Sequence, residues 1–262
     1  MNVFGDIIEG FKKVYKGPNA LVKHIALFAI TGLVSVASVY IENISKAIEQ
    51  SSQLPDLSTI LGIVLLLILI GIYLGGYNLI FSHNSFLEEQ EEYMPDINFE
   101  PIKIFFNALP LMICWTVYIV VACLVAALIC AIKSSVISVI IGISLMFVVL
   151  LACGFVQFIY TAYTQNFVKA GLFNITLPFK YMKHCFGEFV LLGLLFIPVY
   201  IISMLPSFIV GMIMGLTSPN NATIAIYLGG ILGGYAGLIL QLVWYYCLVQ
   251  IYQEKIEPNL YE

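Results

Sequence analysis

From Phe189 to Gln253 the chain contains no Asp, Glu, Lys or Arg. About 20 apolar residues in a helix cross the hydrocarbon core of a bilayer, so these 65 residues must cross, turn and cross again. The turn formers stand at Thr217-Ser218-Pro219-Asn220-Asn221. Four shorter charge-free runs, 25–41, 57–82, 104–132 and 134–168, precede this one. Together they predict six helices, near 22–41, 58–82, 105–132, 135–166, 189–215 and 223–252. A soluble fold does not offer a way out: 61% of the residues are hydrophobic and 10% charged, where soluble domains run near 45–50% and 25%. The expected fold class is all-α, an integral membrane bundle of six transmembrane helices over 19–253, with a short cytoplasmic tail at 254–262.

Orientation follows from lysine, because the chain has eleven lysines and no arginine. Lys12, Lys13, Lys16, Lys23, Lys103, Lys169, Lys180, Lys183 and Lys255 fall on one side of this topology, and Lys46 and Lys133 on the other. Positive charge stays on the cytoplasmic side, which places both termini there, in the cell membrane. A basic set made only of lysine fits an AT-rich genome and a bacterial source. With no basic aromatic surface, nucleic acid is not an expected partner.

Residues 1–18 read as an amphipathic helix in the headgroup plane. Phe4, Ile7, Ile8, Phe11, Val14 and Tyr15 share one face, Asp6, Glu9, Lys12, Lys13 and Lys16 the other. Asn2 can cap its start and Gly17-Pro18 ends it. The spacing Phe4, Ile7, Phe11 recurs at Phe99, Ile102, Phe106 and at Phe179, Met182, Phe186. Each occurrence leads into a pair of spans, so a three-fold repeat of lead-in helix plus helical hairpin is expected. The acidic stretch between His83 and Pro101 lacks the spacing of a calcium loop and reads as a solvated connection.

These lead-in patterns, with Gly75-Gly76-Tyr77 closing the second span, resemble a prokaryotic family of multi-pass membrane proteins of unknown function. That family is distantly similar to the membrane portion of some glycerophosphodiester phosphodiesterases. The resemblance implies a six-helix module with no established activity and carries no catalytic residue across.

Glycine is costly in a soluble helix, yet Gly229, Gly233 and Gly237 form one row in the last span and Gly230 and Gly234 another. In lipid, small residues let helix backbones approach closely, so this glycine zipper predicts tight packing. Gly71 and Gly75 offer a similar face on the second span, making a contact between spans two and six the expected pairing. Three amides, Asn78, Gln157 and Gln241, lie within spans, where an unpartnered amide costs several kcal/mol. They either form separate interhelical bonds, the favoured reading, or converge on one polar pit. Pro110, Pro198 and Pro206 are expected to bend their helices.

No formal charge occupies the interior of any span, and no phosphate-loop, metalloprotease or serine-hydrolase motif is present. No catalytic residue, metal site or cofactor is therefore expected. The six cysteines form no C-x-x-C pair and read as small hydrophobes. The first reading is a non-enzymatic membrane module that packs with itself, lipid or another membrane protein. The second is a transporter or permease for a neutral or amphipathic small molecule, with the amides on a common cavity. An intramembrane lipid-modifying enzyme comes last.

Overall fold

The computed structural model describes residues 2–51, 57–87, 90–131, 136–217 and 222–260. Among them are seven α-helices and no strand: α1 (Val3–Val14), α2 (Ala20–Ser51), α3 (Leu57–Phe86), α4 (Glu100–Ala131), α5 (Val136–Asn166), α6 (Leu177–Thr217) and α7 (Ala222–Ile251). A π-helical turn, Tyr252–Ile256, and a 3-10 turn, Glu257–Asn259, extend α7. Five helices, α2, α3, α4, α6 and α7, are long and apolar enough to cross a membrane. At 1.5 Å per residue the 30 residues of α3 reach about 45 Å, more than the roughly 30 Å of hydrocarbon. α5 is helical over 31 residues. Of the expected turn at Thr217–Asn221, Thr217 ends α6, and the rest, like Lys133, lies outside the described residues.

Helices α2, α3, α4 and α6 start earlier or run longer than the charge-free runs, because a helix does not stop where the bilayer does. Asn98 accepts the Glu100 amide at 2.8 Å and so caps α4 well before the apolar run begins. Asn174 accepts the Thr176 amide at 3.0 Å just ahead of α6. Asn2 does the same for α1 through the Gly5 amide at 3.1 Å. α6 therefore includes residues 177–188, which the charge pattern had left as a connection. Its backbone departs from helical geometry at Cys185 (φ −134°, ψ 17°). There the buried thiol donates back to the Tyr181 carbonyl at 3.1 Å. Pro110 stands inside α4 and Pro198 and Pro206 inside α6, whose backbone leaves helical geometry at Cys185 rather than at a proline.

α7 is the hub, packing against α1, α2, α3, α5 and α6. Its buried residues gather toward its C-terminal end, where Leu242, Val243, Cys247, Leu248 and Ile251 are sealed off. The last part of α3 (Gly76–Ser82) and the last part of α5 (Phe155–Thr164) meet it there, and α4 packs on these two helices. Phe155, Phe158, Phe189, Phe196 and Trp244 interlock as an aromatic cluster. Away from this end the flanks of α3 and α6 stay open, with Leu61, Leu65, Ile68, Ile202 and Phe208 exposed.

The second and sixth predicted spans, α3 and α7, do pack on each other, but their glycine rows face other helices. A side chain at Gly229 or Gly233 would meet Ser207 of α6, and one at Gly237 would meet Met204. Gly230 and Gly234 face Ser35 and Thr31 of α2. The two rows of α7 thus serve two different neighbours, since positions one apart lie about 100° apart around a helix. On α3, Gly71 faces open space and Gly75 faces Phe105 of α4. Gly76 is the tightest point, where a Cβ would overlap the backbone carbonyl of Pro101.

Candidate functional site

The densest polar construction lies where α1 turns into α2. Gly17 and Pro18 reverse the chain there, and Gly17 adopts a φ of +122°, which L side chains rarely take. It has a second reason to be glycine: a Cβ would strike the Glu92 side chain. The acidic connection between α3 and α4 comes down on this turn and is held by lysines. Lys13 Nζ donates to the Tyr93 hydroxyl at 2.8 Å and stands 4.3 Å from the ring centre. Lys16 Nζ donates to the Gln90 carbonyl at 2.9 Å.

Lys23 closes the arrangement. It is 5% exposed and donates to the Met94 carbonyl at 2.7 Å, to Glu92 at 3.0 Å and to Asp96 at 2.9 Å. A buried ammonium is tolerated only when paired and hydrogen-bonded, and these acceptors use all three of its donors. Glu92 is itself largely buried, and its second oxygen, Oε1, has no partner. The connection is therefore pinned at its middle, where Tyr93, Met94 and Pro95 are buried, while Glu91, Asp96 and Glu100 stay exposed as its charge suggested. Sequence spacing gives no direct sign of this pairing. The available hint is a lysine at the mouth of a span opposite a dense run of acids.

Behind this clasp is a cavity of about 350 Å³ lined by Lys23, His83, Asn84, Glu92, Asp96 and Glu100, among others. His83 Nδ1 lies 2.7 Å from the Thr164 carbonyl, and Asn84 donates to the Tyr93 carbonyl at 2.9 Å. The walls are thus anchored on α2, α3, α5 and the acidic connection. Three carboxylates face one lysine, so the chamber favours cationic or hydrogen-donating groups. Among the described residues no cluster of three His, Cys, Asp or Glu is placed to hold a metal ion.

α1 is seated on the bundle next to this chamber. Val3, Ile7 and Val14 are buried, and Gly10 lies against Val243 and Tyr246 of α7. Phe4, Ile8 and Tyr15 remain exposed. Tyr15 stacks on His24 with ring centres 4.5 Å apart, while the Tyr235 hydroxyl lies 2.7 Å from His24 Nδ1. Asp6 has a buried oxygen without a partner. Burial first, and then nearby Glu254, push its carboxyl above the usual range.

The amides do not converge. Asn78 is buried on α3 with its carbonyl oxygen unpartnered. Gln157 on α5 accepts from Trp244 Nε1 of α7 at 2.6 Å. Gln241 is exposed and bonds Tyr245 on its own helix. None of the three lines any of the four cavities described. The three amides thus have separate surroundings, and each glutamine has an aromatic partner close by. The five cysteines described, Cys114, Cys123, Cys153, Cys185 and Cys247, are all free. The chain matches no protein-family model, no curated protein and no solved structure.

Proposed function

We propose that this chain is a non-enzymatic six-helix module of the cell membrane, with both termini cytoplasmic, that works by packing with lipid, itself or a membrane partner. α5, with 31 helical residues between α4 and α6, serves as the sixth span. The observation carrying this reading is the segregation of charge. Ion pairs join Lys12 and Lys13 to Glu9, Lys23 to Glu92 and Asp96, and Lys255 to Glu188. All belong to the end where α1, the acidic connection, the start of α6 and the end of α7 meet. The opposite flanks offer bare aliphatic surface, as a lipid-facing wall requires. The scattered amides favour packing over a permease, which would gather them on one cavity. On the lead-in spacing alone, the chain is placed beside the family of unknown function that it resembles.

Topology tests the reading. In a cysteine-free background, Lys16→Cys and Lys180→Cys should both react with a membrane-impermeant maleimide in inside-out vesicles and be protected in intact cells. Labelling of the two from opposite faces, or a chain that stays in solution without detergent, refutes the proposal.

A further inference from the structure

The connection from α5 into α6 is tightly folded, yet it keeps large apolar side chains on the outside. Phe167 and Gly171 both take positive φ, at 54° and 79°. The buried Trp115 of α4 donates its indole N–H to the Leu172 carbonyl at 3.0 Å. The Leu172 amide in turn bonds the Lys169 carbonyl at 3.1 Å, and Asn174 caps α6. Even so, Val168, Phe173, Ile175, Phe179 and Phe186 all stay exposed. A loop held in place with such a patch outward marks a surface for an apolar neighbour.

The position of the patch on the bundle says what that neighbour is. Ile175 and Phe179 line an apolar pocket of about 110 Å³ together with Tyr118, Ile119 and Ala122 of α4 and Val156 of α5. Tyr118, Ile119 and Ala122 belong to the part of α4, Glu100–Val125, that is apolar enough to cross a membrane. The connection therefore lies along the flank of a spanning helix, where lipid is the surrounding medium.

Charge then selects the lipid. Successive residues stand about 100° apart around a helix, which divides the first turns of α6 into three sectors. Pro178, Tyr181 and Cys185 face inward and are buried, Phe179 and Met182 form an apolar strip, and Lys183 and Lys180 follow beside it, exposed. Among the described residues no acidic partner meets Lys169, Lys180 or Lys183. The nearest acid along the chain, Glu188, is held by Lys255 at 3.1 Å. Free ammonium groups at the rim of a membrane-embedded patch attract anionic headgroups.

We propose that residues 168–186 form a binding surface for anionic membrane lipid, with Phe179 and its apolar neighbours in the acyl layer and Lys180 and Lys183 on the headgroup phosphate. A zwitterionic head carries its own ammonium, which offsets the attraction, so a net negative head is preferred. The matching spacing at Phe99, Ile102 and Phe106 does not build the same surface. Its lysine, Lys103, stands one turn from Glu100 and directly follows the acidic connection. This inference rests on the membrane reading above.

The test uses the full chain in detergent, after its topology has been established by labelling, so that failure of the membrane reading shows first and separately. The protein is given equal amounts of phosphatidylglycerol, phosphatidylethanolamine and phosphatidylcholine with identical acyl chains, and retained lipid is counted by native mass spectrometry. One lysine near an anionic head is worth about fivefold in binding. Phosphatidylglycerol should therefore be retained roughly 25-fold over either competitor, by the same per-lysine factor taken twice. Lys180→Gln and Lys183→Gln should each lower that preference about fivefold, and the double variant should lose most of it. Lys103→Gln should leave it unchanged, and Phe179→Ser should lower retention of all three lipids. Equal retention of the three by the native chain, an unchanged preference in the double variant, an equal loss in Lys103→Gln, or unchanged retention in Phe179→Ser overturns the proposal. If Phe179→Ser fails to fold, the lysine variants, all at exposed side chains, decide alone.

Discussion

Three glycines on α3 allow the packing account to be tested on one helix. At Gly71 an added methyl meets nothing within 4 Å. At Gly75 it comes 2.9 Å from the edge of the Phe105 ring, a side chain that can swing aside. At Gly76 it overlaps the carbonyl of Pro101, which is backbone at the capped start of α4 and cannot rotate away. Overpacking a tight site costs about 1–3 kcal/mol, and a clash that moves a whole helix falls at the upper end. Alanine over glycine in a helix returns up to about 1 kcal/mol in water. The net expectation is a loss of about 2 kcal/mol for Gly76→Ala, a smaller loss for Gly75→Ala, and no loss for Gly71→Ala. For a chain of this size one kcal/mol moves the midpoint by roughly 2–4 °C. Gly76→Ala should therefore melt about 4–8 °C below the parent and Gly71→Ala within about 2 °C of it, followed by tryptophan fluorescence in a single detergent. Equal midpoints for the two, or a more damaging Gly71→Ala, would refute the argument that α3 and α4 meet backbone to backbone.

Two other perturbations probe the polar contacts. Trp244→Phe should destabilise by about 1–3 kcal/mol because it strands the Gln157 carbonyl oxygen; adding Gln157→Leu should recover part of that loss in a double-mutant cycle. Asp6 has its folded-state carboxyl pKa raised by burial, so its penalty is present at neutral pH and disappears as pH falls through the folded value. Asp6→Asn should therefore melt above the parent at pH 7, and the gap should narrow as pH drops toward 4, measured by thermal unfolding at each pH.

The long apolar helices were legible because absence of charge over 20 or more residues leaves a chain few alternatives. Local caps are in plain view at Asn2, whereas Asn98 and Asn174 lie ahead of the point where the apolar runs begin and carry no such signal. What could not be read was pairing. Gly229 and Gly230 are neighbours in sequence yet touch different helices, and only the placement of α2 and α6 decides which. Lys23 counted toward orientation, and nothing in its surroundings along the chain marked it as buried. Its partners Glu92 and Asp96 are about seventy residues away along the chain, and of the two only Glu92 is withdrawn from solvent. Periodicity reports which side of a helix is greasy, whereas a buried ion pair depends on where two distant segments come to rest.

The seating of α1 on the last part of α7 joins two segments that lie far apart along the chain. Gly10 rests against Val243 and Tyr246, with all the intervening helices looped out between them. Closing so long a loop costs entropy that a short helix repays only once its dock exists. Docking of α1 is therefore expected late in folding, after α2 and α6 have packed on α7.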